Sequence, residues 1–277
     1  MKIAVLSGKG GTGKTLISVN LAVASEDSYY IDCDVEEPNG HLFFKPKVTK
    51  SEIVSVKFPE INQNLCNGCR KCVDFCKFNA LAYIKDKVIL FDEICHSCGG
   101  CSIVCPTEAI TEIDRTIGII QLGVSENIHI ISGFLNIGQE SGVSIIKNML
   151  NKQLEHNKLT FIDCPPGSGC SVMESIKDAD YCILIAEPTV FGAHNLNMVY
   201  KLVKLYKKPF GVILNKSLNE ENPSENFCKE KNIKIIAKIP YDTELGKINS
   251  DGLIAARNSK YKGYFNNILE RVMQEVS

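Results

Sequence analysis

The stretch LSGKGGTGKT, residues 6–15, decides how the rest of the chain is organised. It follows a short apolar segment, KIAVLS, and precedes KTLISVNLAVA, whose apolar residues recur at helical spacing. A glycine-rich loop of the form G-x-x-x-x-G-K-T between a strand and a helix holds phosphate groups with its backbone amides and the helix N-terminus. The sequence therefore predicts a nucleotide-phosphate site at the first strand–helix junction.

Two lysines lie in this loop. We expect Lys14 to bridge the β- and γ-phosphates and the Thr15 hydroxyl to bind Mg²⁺. Lys9 lies on the outer rim of the loop, where a phosphate on a neighbouring molecule is within reach, although a solvated surface lysine is the alternative. The other residues predicted to bind the nucleotide phosphates are Gly8, Gly10, Gly11, Thr12 and Gly13.

Composition excludes several classes of protein. The 277 residues are 44% hydrophobic and 23% charged, with a net charge of −1, so no basic excess points to a nucleic-acid partner. No apolar run reaches the roughly 18 residues of a membrane span. An apolar strand leads directly into the glycine loop, so we expect no signal peptide. These features predict a cytoplasmic protein without a membrane span.

Apolar strands alternate with helices on both sides of a cysteine-rich segment. This alternation predicts a mostly parallel α/β sheet covered on both faces. We expect one domain, residues 1–57 and 116–277, interrupted by a module at residues 58–115. The predicted strands are KIAVLS, SYYIDCD, IHIIS, KLTFIDC, YCILIAE, FGVILN and IKIIAKIP. The predicted helices are KTLISVNLAVA, SGVSIIKNMLNKQLEH, AHNLNMVYKLVKLY and SENFCKEKN.

The cysteine-rich segment contains an internal repeat. Eight of the 13 cysteines lie between Cys66 and Cys105, and residues 65–84 match residues 94–113 with all four cysteines aligned. Each half has the spacing C-x2-C-x2-C-x3-C, whose fourth cysteine ligates the other cluster. Zinc, the alternative, needs only two C-x2-C arms. We therefore assign one [4Fe–4S] cluster to Cys66, Cys69, Cys72 and Cys105, and another to Cys95, Cys98, Cys101 and Cys76.

Along its whole length this segment resembles the two-cluster bacterial ferredoxins, and the resemblance implies an α+β ferredoxin-like domain. That family usually has proline after the fourth cysteine, as Pro106 follows Cys105 here, but Lys77 follows Cys76. A lysine would leave its cluster more hydrated and nearer a positive charge, and both effects favour the reduced cluster. We therefore expect the two clusters to have unequal potentials.

The loop KGGTGKT, residues 9–15, resembles the deviant phosphate-binding loop of the MinD/ParA/Mrp and nitrogenase iron-protein ATPases. In that class the extra lysine crosses a two-fold interface to the partner's nucleotide. The resemblance therefore implies that Lys9 acts in trans and that the chain pairs with a second copy, or with a paralogous chain, when ATP binds. The resemblance extends over the chain to MinD-superfamily ATPases with an inserted ferredoxin domain.

Two further segments resemble the switches of that class. IDCDVEEPN, residues 31–39, resembles switch I, which implies that Asp34 orients the attacking water and that Asp32 supports the magnesium shell. FIDCPPGSG, residues 161–169, resembles switch II, which implies that Asp163 holds Mg²⁺ through water and that the Gly167 amide senses the γ-phosphate. The catalytic residues implied by the resemblance are Lys9, Lys14, Asp34 and Asp163.

Two other segments resemble the adenine-binding part of the class. VILNK places Asn215 at a strand end, where the class uses asparagine to hydrogen-bond adenine. IPYD, which contains Pro240 and Asp242, resembles the loop on the other side of the base. For a single aspartate or asparagine, a turn or cap role is the alternative.

Cys170 is the one cysteine outside the repeat that invites a redox interpretation. It lies seven residues after Asp163, and the nitrogenase iron protein has a cluster ligand at a similar offset. The second ligand of that protein has no counterpart here, so two subunits would supply only two such thiols. We expect the remaining cysteines to be small buried residues: Cys33, Cys164, Cys182 and Cys228.

Three functions fit these features. The first is an ATP-gated electron-transfer protein that acts on an unidentified redox partner protein. The second is an iron–sulfur carrier of the Mrp type, although no C-x-x-C pair follows Cys105. The third is a positioning ATPase on a membrane or nucleoid. The C-terminal segment YFNNILERVMQEVS is amphipathic, but Glu270, Arg271 and Glu275 replace the lysine-rich face of a membrane anchor, so we expect it to pack on its own domain.

Overall fold

A central sheet of mostly parallel strands organises the molecule. The computed structural model describes residues 1–155, 157–218 and 222–276, and within them nine strands form this sheet and two more form a separate small sheet. The strands are β1 (Lys2–Leu6), β2 (Ser28–Asp32), β3 (Lys47–Ile61), β4 (Leu81–Ile84), β5 (Lys87–Leu90), β6 (Ile110–Ser125), β7 (Ile128–Leu135), β8 (Leu159–Asp163), β9 (Tyr181–Ala186), β10 (Phe210–Ser217) and β11 (Ile235–Pro240).

Helices and two short 3₁₀ turns, Asp92–Ile94 and Ala255–Arg257, connect these strands. The helices are α1 (Lys14–Ala24), α2 (Gly40–Phe44), α3 (Lys71–Phe75), α4 (Gly100–Ile103), α5 (Val143–Leu150), α6 (Cys170–Ile176), α7 (Val190–Leu205), α8 (Pro223–Glu230), α9 (Thr243–Ser250) and α10 (Ser259–Val276).

The strand order across the large sheet is β11-β10-β9-β1-β8-β2-β7-β6-β3. Every neighbouring pair from β11 to β7 is parallel, whereas β6 and β3 add two antiparallel strands at one edge. Parallel neighbours require crossover connections, which is why strands and helices alternate along the chain. The prediction of a mostly parallel α/β sheet is confirmed.

Both faces of the sheet are covered by helices, as predicted. Successive residues of a strand point to opposite faces. Ala4 and Leu6 belong to the core that includes Ile145 of α5 and Val199 of α7. Ile3 and Val5, which alternate with them in β1, belong to the core on the other face, with α1, α9 and α10. The strand β1 is therefore buried between two helical layers.

The C-terminal helix α10 lies in this second core. Its residues Phe265, Ile268 and Val272 are at most 2% exposed, and the helix packs against α1. The expectation that the amphipathic C-terminal segment packs on its own domain is confirmed, because its apolar face is already occupied. Among the residues that the structure describes, no helix is both long enough and apolar enough to span a membrane.

Most boundaries agree with the sequence, and two differences have simple causes. The helix predicted over residues 141–156 is shorter, since α5 ends at Leu150 and the Asn151 amide caps it by donating to the carbonyls of Lys147 and Met149. The last predicted residue, His156, lies outside the described residues. The short helix α6 was not predicted, because its seven residues span only two helical turns.

Strands β3 and β6 form a long antiparallel ribbon that the sequence did not predict. It runs from the pair Lys47–Val124 to the pair Ile61–Ile110. Only residues 118–125 of β6 also pair with β7, so among the described residues the outer half of the ribbon pairs with no other strand. The cysteine-rich segment, residues 62–109, lies at that end. The predicted domain borders at 57/58 and 115/116 fall within the outer half, and the division into two domains stays a prediction.

The local backbone of the cysteine-rich segment repeats with its sequence. Left-handed φ angles occur at Gly68 (70°), Arg70 (61°) and Asn79 (56°). The residues 29 positions later have the same conformation: Ser97 (51°), Gly99 (74°) and Glu108 (52°). Such angles are uncommon for residues other than glycine, so three matched pairs are not a coincidence of composition. The predicted repeat is confirmed at the level of the backbone.

Candidate nucleotide site and cysteine-lined cavities

The glycine-rich loop connects β1 to α1 as predicted. Gly13 has a φ of 99° and is the N-cap residue of α1, so a residue with a side chain would be strained there. An added Cβ at Gly8 would lie 2.4 Å from the carbonyl oxygen of Asn195 in α7. Gly10 and Gly11 face open space instead. The loop is therefore tightly packed at both ends and accessible in the middle, where phosphate oxygens would bind.

Asp163 ends β8 beside this loop and is 2% exposed. The Tyr30 hydroxyl donates a hydrogen bond of 2.8 Å to Asp163 Oδ2, whereas Asp163 Oδ1 is buried and has no hydrogen-bond partner within the described part of the chain. Burial raises the pKa of Asp163, and the neighbouring Thr15 and Lys14 oppose that shift. This buried oxygen lies next to Thr15 and is free to accept a hydrogen bond from a water molecule that ligates Mg²⁺.

The switch-I segment is folded back onto β2. Asp32 accepts hydrogen bonds from the amides of Gly40 (2.8 Å) and Asp34 (3.2 Å), and burial together with Asp163 raises its pKa. Asp34 is partly exposed, and burial raises its pKa to about 6 against the attraction of Lys14. Asp32 therefore holds the segment in shape, while Asp34 lies near the buried ammonium of Lys14, where a reacting phosphate would be.

Lys9 forms an ion pair within its own chain. Its ammonium lies 2.6 Å from Glu187 Oε2, and the ammonium of Lys216 lies 2.7 Å from Glu187 Oε1. Lys216 also donates to the carbonyl of Gly11 at 2.9 Å. Burial alone would raise the pKa of Glu187, but the hydrogen bonds from Lys216 and Lys9 lower it below the ordinary value.

Glu187 and Lys216 were missed by sequence reasoning, although a signal for both exists. Glu187 directly follows β9, which pairs with β1, and Lys216 lies in β10 directly after Asn215. The carboxyl ends of parallel strands meet at one edge of the sheet, which is where ligands bind in open α/β folds. Polar residues at such strand ends are therefore candidates for the ligand site even without a motif.

Switch II contacts the loop directly. The Gly167 amide, predicted to sense the γ-phosphate, donates to the carbonyl of Ser7 at 3.0 Å. Gly167 has a φ of 94°, and an added Cβ would meet no atom within 4 Å. A phosphate that attracted this amide would have to break the bond to Ser7 and so move the switch-II segment.

The residues predicted to line the adenine have structural partners. Asn215 is 2% exposed, and its amide nitrogen donates to the carbonyl of Thr12 at 2.8 Å. Asp242 is the N-cap residue of α9, accepts from the amides of Glu244 and Leu245, and receives the Tyr261 hydroxyl at 2.7 Å. Pro240 ends β11. Contact of these residues with a base stays a prediction.

The eight cysteines of the repeat line two separate cavities. A narrow cavity of about 10 Å³ is lined by Cys66, Cys69, Cys72 and Cys105. A larger cavity of about 230 Å³ is lined by Cys76, Cys95, Cys98 and Cys101, with Lys77 and the aromatic rings of Phe75 and Phe78. Each set combines three cysteines of one half with the fourth of the other, which is the partition expected from the spacing.

The thiols around each cavity do not converge on a point. In the described part of the chain no three His, Cys, Asp or Glu side chains are close enough to hold a single metal ion. The assignment of these thiols to clusters stays a prediction. Burial raises the pKa of Cys72, Cys95 and Cys101, the last to about 11, whereas hydrogen bonds from Thr107 and nearby amides outweigh burial and lower that of Cys105.

A cleft of about 440 Å³ lies between the cysteine-rich segment and the main sheet domain. On one side it is lined by Cys95, His96 and Ser97, and on the other by residues 139–141, 143 and 144 together with Cys170 and Ser171. The imidazole Nε2 of His96 lies 4.0 Å from Glu140 Oε1 across it. The cleft therefore connects a predicted cluster ligand with the start of α6, directly after switch II.

Comparisons with known proteins agree with this geometry. The CobQ/CobB/MinD/ParA nucleotide binding domain matches residues 3–255. An uncharacterised protein of Methanocaldococcus jannaschii is 32% identical over 280 residues, covering 99% of this chain and 97% of the relative. An uncharacterised ferredoxin of the same organism is 39% identical over 54 residues, covering 18% of this chain and 70% of the relative.

Among solved structures, the septum site-determining protein MinD of Pyrococcus horikoshii, complexed with Mg-ADP, has the same fold. Its TM-score is 0.63 at 19% identity, covering 98% of this chain and 95% of that one. At that identity the likeness concerns the fold alone.

The hydrogen bond from Tyr30 to Asp163 yields the first prediction. Tyr30→Phe removes the hydroxyl and leaves Asp163 Oδ2 buried without this partner, so we expect a loss of about 1–3 kcal/mol in the free energy of unfolding. Tyr29→Phe is the matched control, since the Tyr29 hydroxyl makes an exposed contact of 3.4 Å with Glu155. Urea unfolding measures both, and equal stabilities of the two variants would contradict the assignment.

Proposed function

The chain belongs to the CobQ/CobB/MinD/ParA nucleotide-binding family, and from this premise we propose that it is a Mg²⁺-dependent ATPase whose ATP-dependent pairing gates electron transfer through two [4Fe–4S] clusters. The observation that carries the coupling is the cleft. It brings Cys95, a predicted cluster ligand, to the same space as Cys170 and Ser171, which directly follow the switch-II segment. We place the protein in the cytoplasm, with a second copy or a paralogous chain as its partner subunit.

The nucleotide part of the proposal rests on charge. The buried ammonium of Lys14 opposes the charge of the β- and γ-phosphates, and the Thr15 hydroxyl with Asp163 Oδ1 fits a hydrated Mg²⁺. The MinD structure with the same fold was solved with Mg-ADP, which agrees with these ligands. Asp34 accepts a hydrogen bond from the attacking water and so orients its oxygen. With a pKa of about 6, Asp34 is largely a carboxylate at neutral pH.

The cysteine-rich segment would supply one-electron chemistry when its clusters are bound. The partial likeness to a ferredoxin and the two four-cysteine cavities support this assignment. Apolar side chains, among them Phe75, Phe78 and Leu81, line the larger cavity and limit the access of water to it. Lys77 lies in the same wall, where a positive charge favours a reduced cluster.

The coupling follows from the switch-II contacts. The Gly167 amide donates a hydrogen bond to the carbonyl of Ser7, directly before Gly8 of the phosphate-binding loop. Gly167 itself lies three residues before Cys170, where α6 begins. A phosphate that captures the Gly167 amide shifts this segment and with it one wall of the cleft. The other wall is the Cys95 loop, so the nucleotide state changes how the second cysteine set is exposed to a redox partner.

The deciding experiment compares cluster oxidation in the two nucleotide states. Anaerobic, reduced protein is mixed with a one-electron acceptor protein under ATP or ADP, and the cluster absorbance is followed by stopped flow. We expect the oxidation rate to change at least about tenfold between the two nucleotides, the size of a coupling free energy of about 1.4 kcal/mol. Equal rates combined with transfer of clusters to an apo-acceptor would instead support the carrier function of the Mrp type.

Lys9 provides a second test. Lys9→Met removes the charge that would reach the partner's nucleotide, so we expect ATP-dependent dimerisation and hydrolysis to be lost while binding of a fluorescent ATP analogue changes little. Lys262→Met, an exposed lysine of α10, is the control. Analytical ultracentrifugation and phosphate release measure the outcome. Normal dimerisation of the Lys9 variant would contradict the role in trans.

The cysteine assignment is tested by iron and acid-labile sulfide analysis. Cys98→Ser removes a predicted ligand of the second cluster, so we expect the iron content to fall to about half, because the first cavity keeps its four thiols. Cys170→Ser is the matched control, since Cys98 and Cys170 are both exposed. We expect it to retain the full complement, which would also count against Cys170 as a cluster ligand. Full iron in the Cys98 variant would overturn the assignment.

A further inference from the structure

Glu187 is positioned between two lysines of the nucleotide site. Its side chain is 11% exposed, and its two carboxylate oxygens are shared between Lys9 (2.6 Å) and Lys216 (2.7 Å). The carbonyl oxygen of Glu187 also accepts the Ser224 hydroxyl at 2.6 Å and the Thr189 amide at 2.9 Å, so the residue is fixed at the end of β9. The carboxylate is therefore a largely buried anchor, whereas the two lysines that it binds are partly exposed.

This contact holds Lys9 inside its own subunit. While its ammonium is bonded to Glu187 at 2.6 Å, Lys9 reaches only acceptors that lie within contact of that carboxylate, although this bond leaves two of its three N–H donors free for them. For Lys9 to act in trans, its bond to Glu187 must be exchanged for a bond to the partner's nucleotide. Both bonds are charge-assisted, so the exchange is driven by the greater negative charge of a bound triphosphate.

Lys216 makes this exchange feasible. A buried carboxylate that loses all its partners is strongly unfavourable. When Lys9 leaves, Lys216 still neutralises Glu187 and still bonds to the Gly11 carbonyl at 2.9 Å. The two lysines are about equally exposed, 42% for Lys9 and 44% for Lys216, and the second bond of Lys216, to Gly11, makes it the lysine that stays when Lys9 leaves.

We propose that Glu187 is a positioning residue that retains Lys9 in the nucleotide-free subunit and so sets the ATP concentration at which two subunits pair. This inference rests on the proposed role of Lys9 in trans. It goes beyond that role, because it assigns the resistance to pairing to a named contact within one chain.

Two substitutions shift this balance in opposite directions. Glu187→Gln keeps the shape of the side chain but releases Lys9, so pairing requires less ATP. Lys216→Met leaves Lys9 as the one ion-pair partner that the structure gives the carboxylate, so Lys9 is retained more firmly and pairing requires more ATP. Glu225→Gln is the matched control, since Glu225 also bridges two lysines, Lys229 at 2.9 Å and Lys238 at 2.8 Å, on the surface of α8.

The experiment has two readouts on the full-length chain. The first is the acetylation rate of Lys9 in nucleotide-free protein, measured by mass spectrometry, which we expect to rise in the Glu187→Gln variant and to stay unchanged in the Glu225→Gln control. The second is the ATP concentration for half-maximal dimerisation in analytical ultracentrifugation. We expect it to fall roughly two- to fivefold in Glu187→Gln, the range for one partly exposed ion pair, and to rise in Lys216→Met.

The outcomes separate the two proposals. Opposite shifts in the two variants, after each dimerisation midpoint is corrected for that variant's own affinity for a fluorescent ATP analogue, support the role of Glu187. If the wild-type protein dimerises with ATP, and all the variants need the same ATP concentration for half-maximal dimerisation as the wild type does, the role of Glu187 is overturned and the proposed function stays intact. A wild-type protein that stays monomeric at saturating ATP overturns the proposed function and this inference with it.

Discussion

The parallel pairing of β1 with β8 on one side and β9 on the other is the constraint on which the rest of the molecule depends. It brings the carboxyl ends of three strands to one edge of the sheet, where the phosphate-binding loop, Asp163 and Glu187 follow them. These residues are far apart in sequence, and no local interaction would hold them together. Apolar cores on both faces fully bury residues 3–6 of β1, so the loop that leaves this strand has a fixed origin.

Charge is concentrated at this edge and largely buried. Asp32 and Asp163 are adjacent in register, each at most 2% exposed, and their mutual repulsion and burial raise the pKa of Asp32. Backbone amides satisfy Asp32, and the Tyr30 hydroxyl satisfies one oxygen of Asp163. Tyr30 also lies against Gly40, where an added Cβ would be 2.3 Å from its ring. A single tyrosine therefore packs on the first residue of α2 and orients the buried carboxylate of Asp163.

The long ribbon explains how a cysteine-rich segment can be attached without disturbing this edge. Its inner half extends the main sheet, while its outer half pairs with no other strand and carries residues 62–109. The segment then folds back toward the switch-II side of the molecule, where His96 approaches Glu140. The cleft formed there is the place at which the two parts of the chain contact each other's functional residues.

Local pattern was enough to predict a large part of the protein. Residues that are neighbours in sequence determine the loop at residues 8–15, the helix beginning at Lys14, the parallel strands and the repeat of four cysteines. The spacing of those residues therefore reveals these features. The cysteines that line each cavity also match the partition predicted from the spacing C-x2-C-x2-C-x3-C, while their role as cluster ligands stays a prediction.

Only the tertiary structure decided the rest, because it depends on which strands become neighbours. Three contacts join segments more than a hundred residues apart: the ion pair of Glu187 with Lys9, the hydrogen bond from Tyr30 to Asp163 and the hydrogen bond from Gly167 to Ser7. A fourth, the ion pair of Glu187 with Lys216, spans 29 residues. No periodicity or motif encodes such contacts. They arise when the sheet orders its strands and brings their ends to one edge.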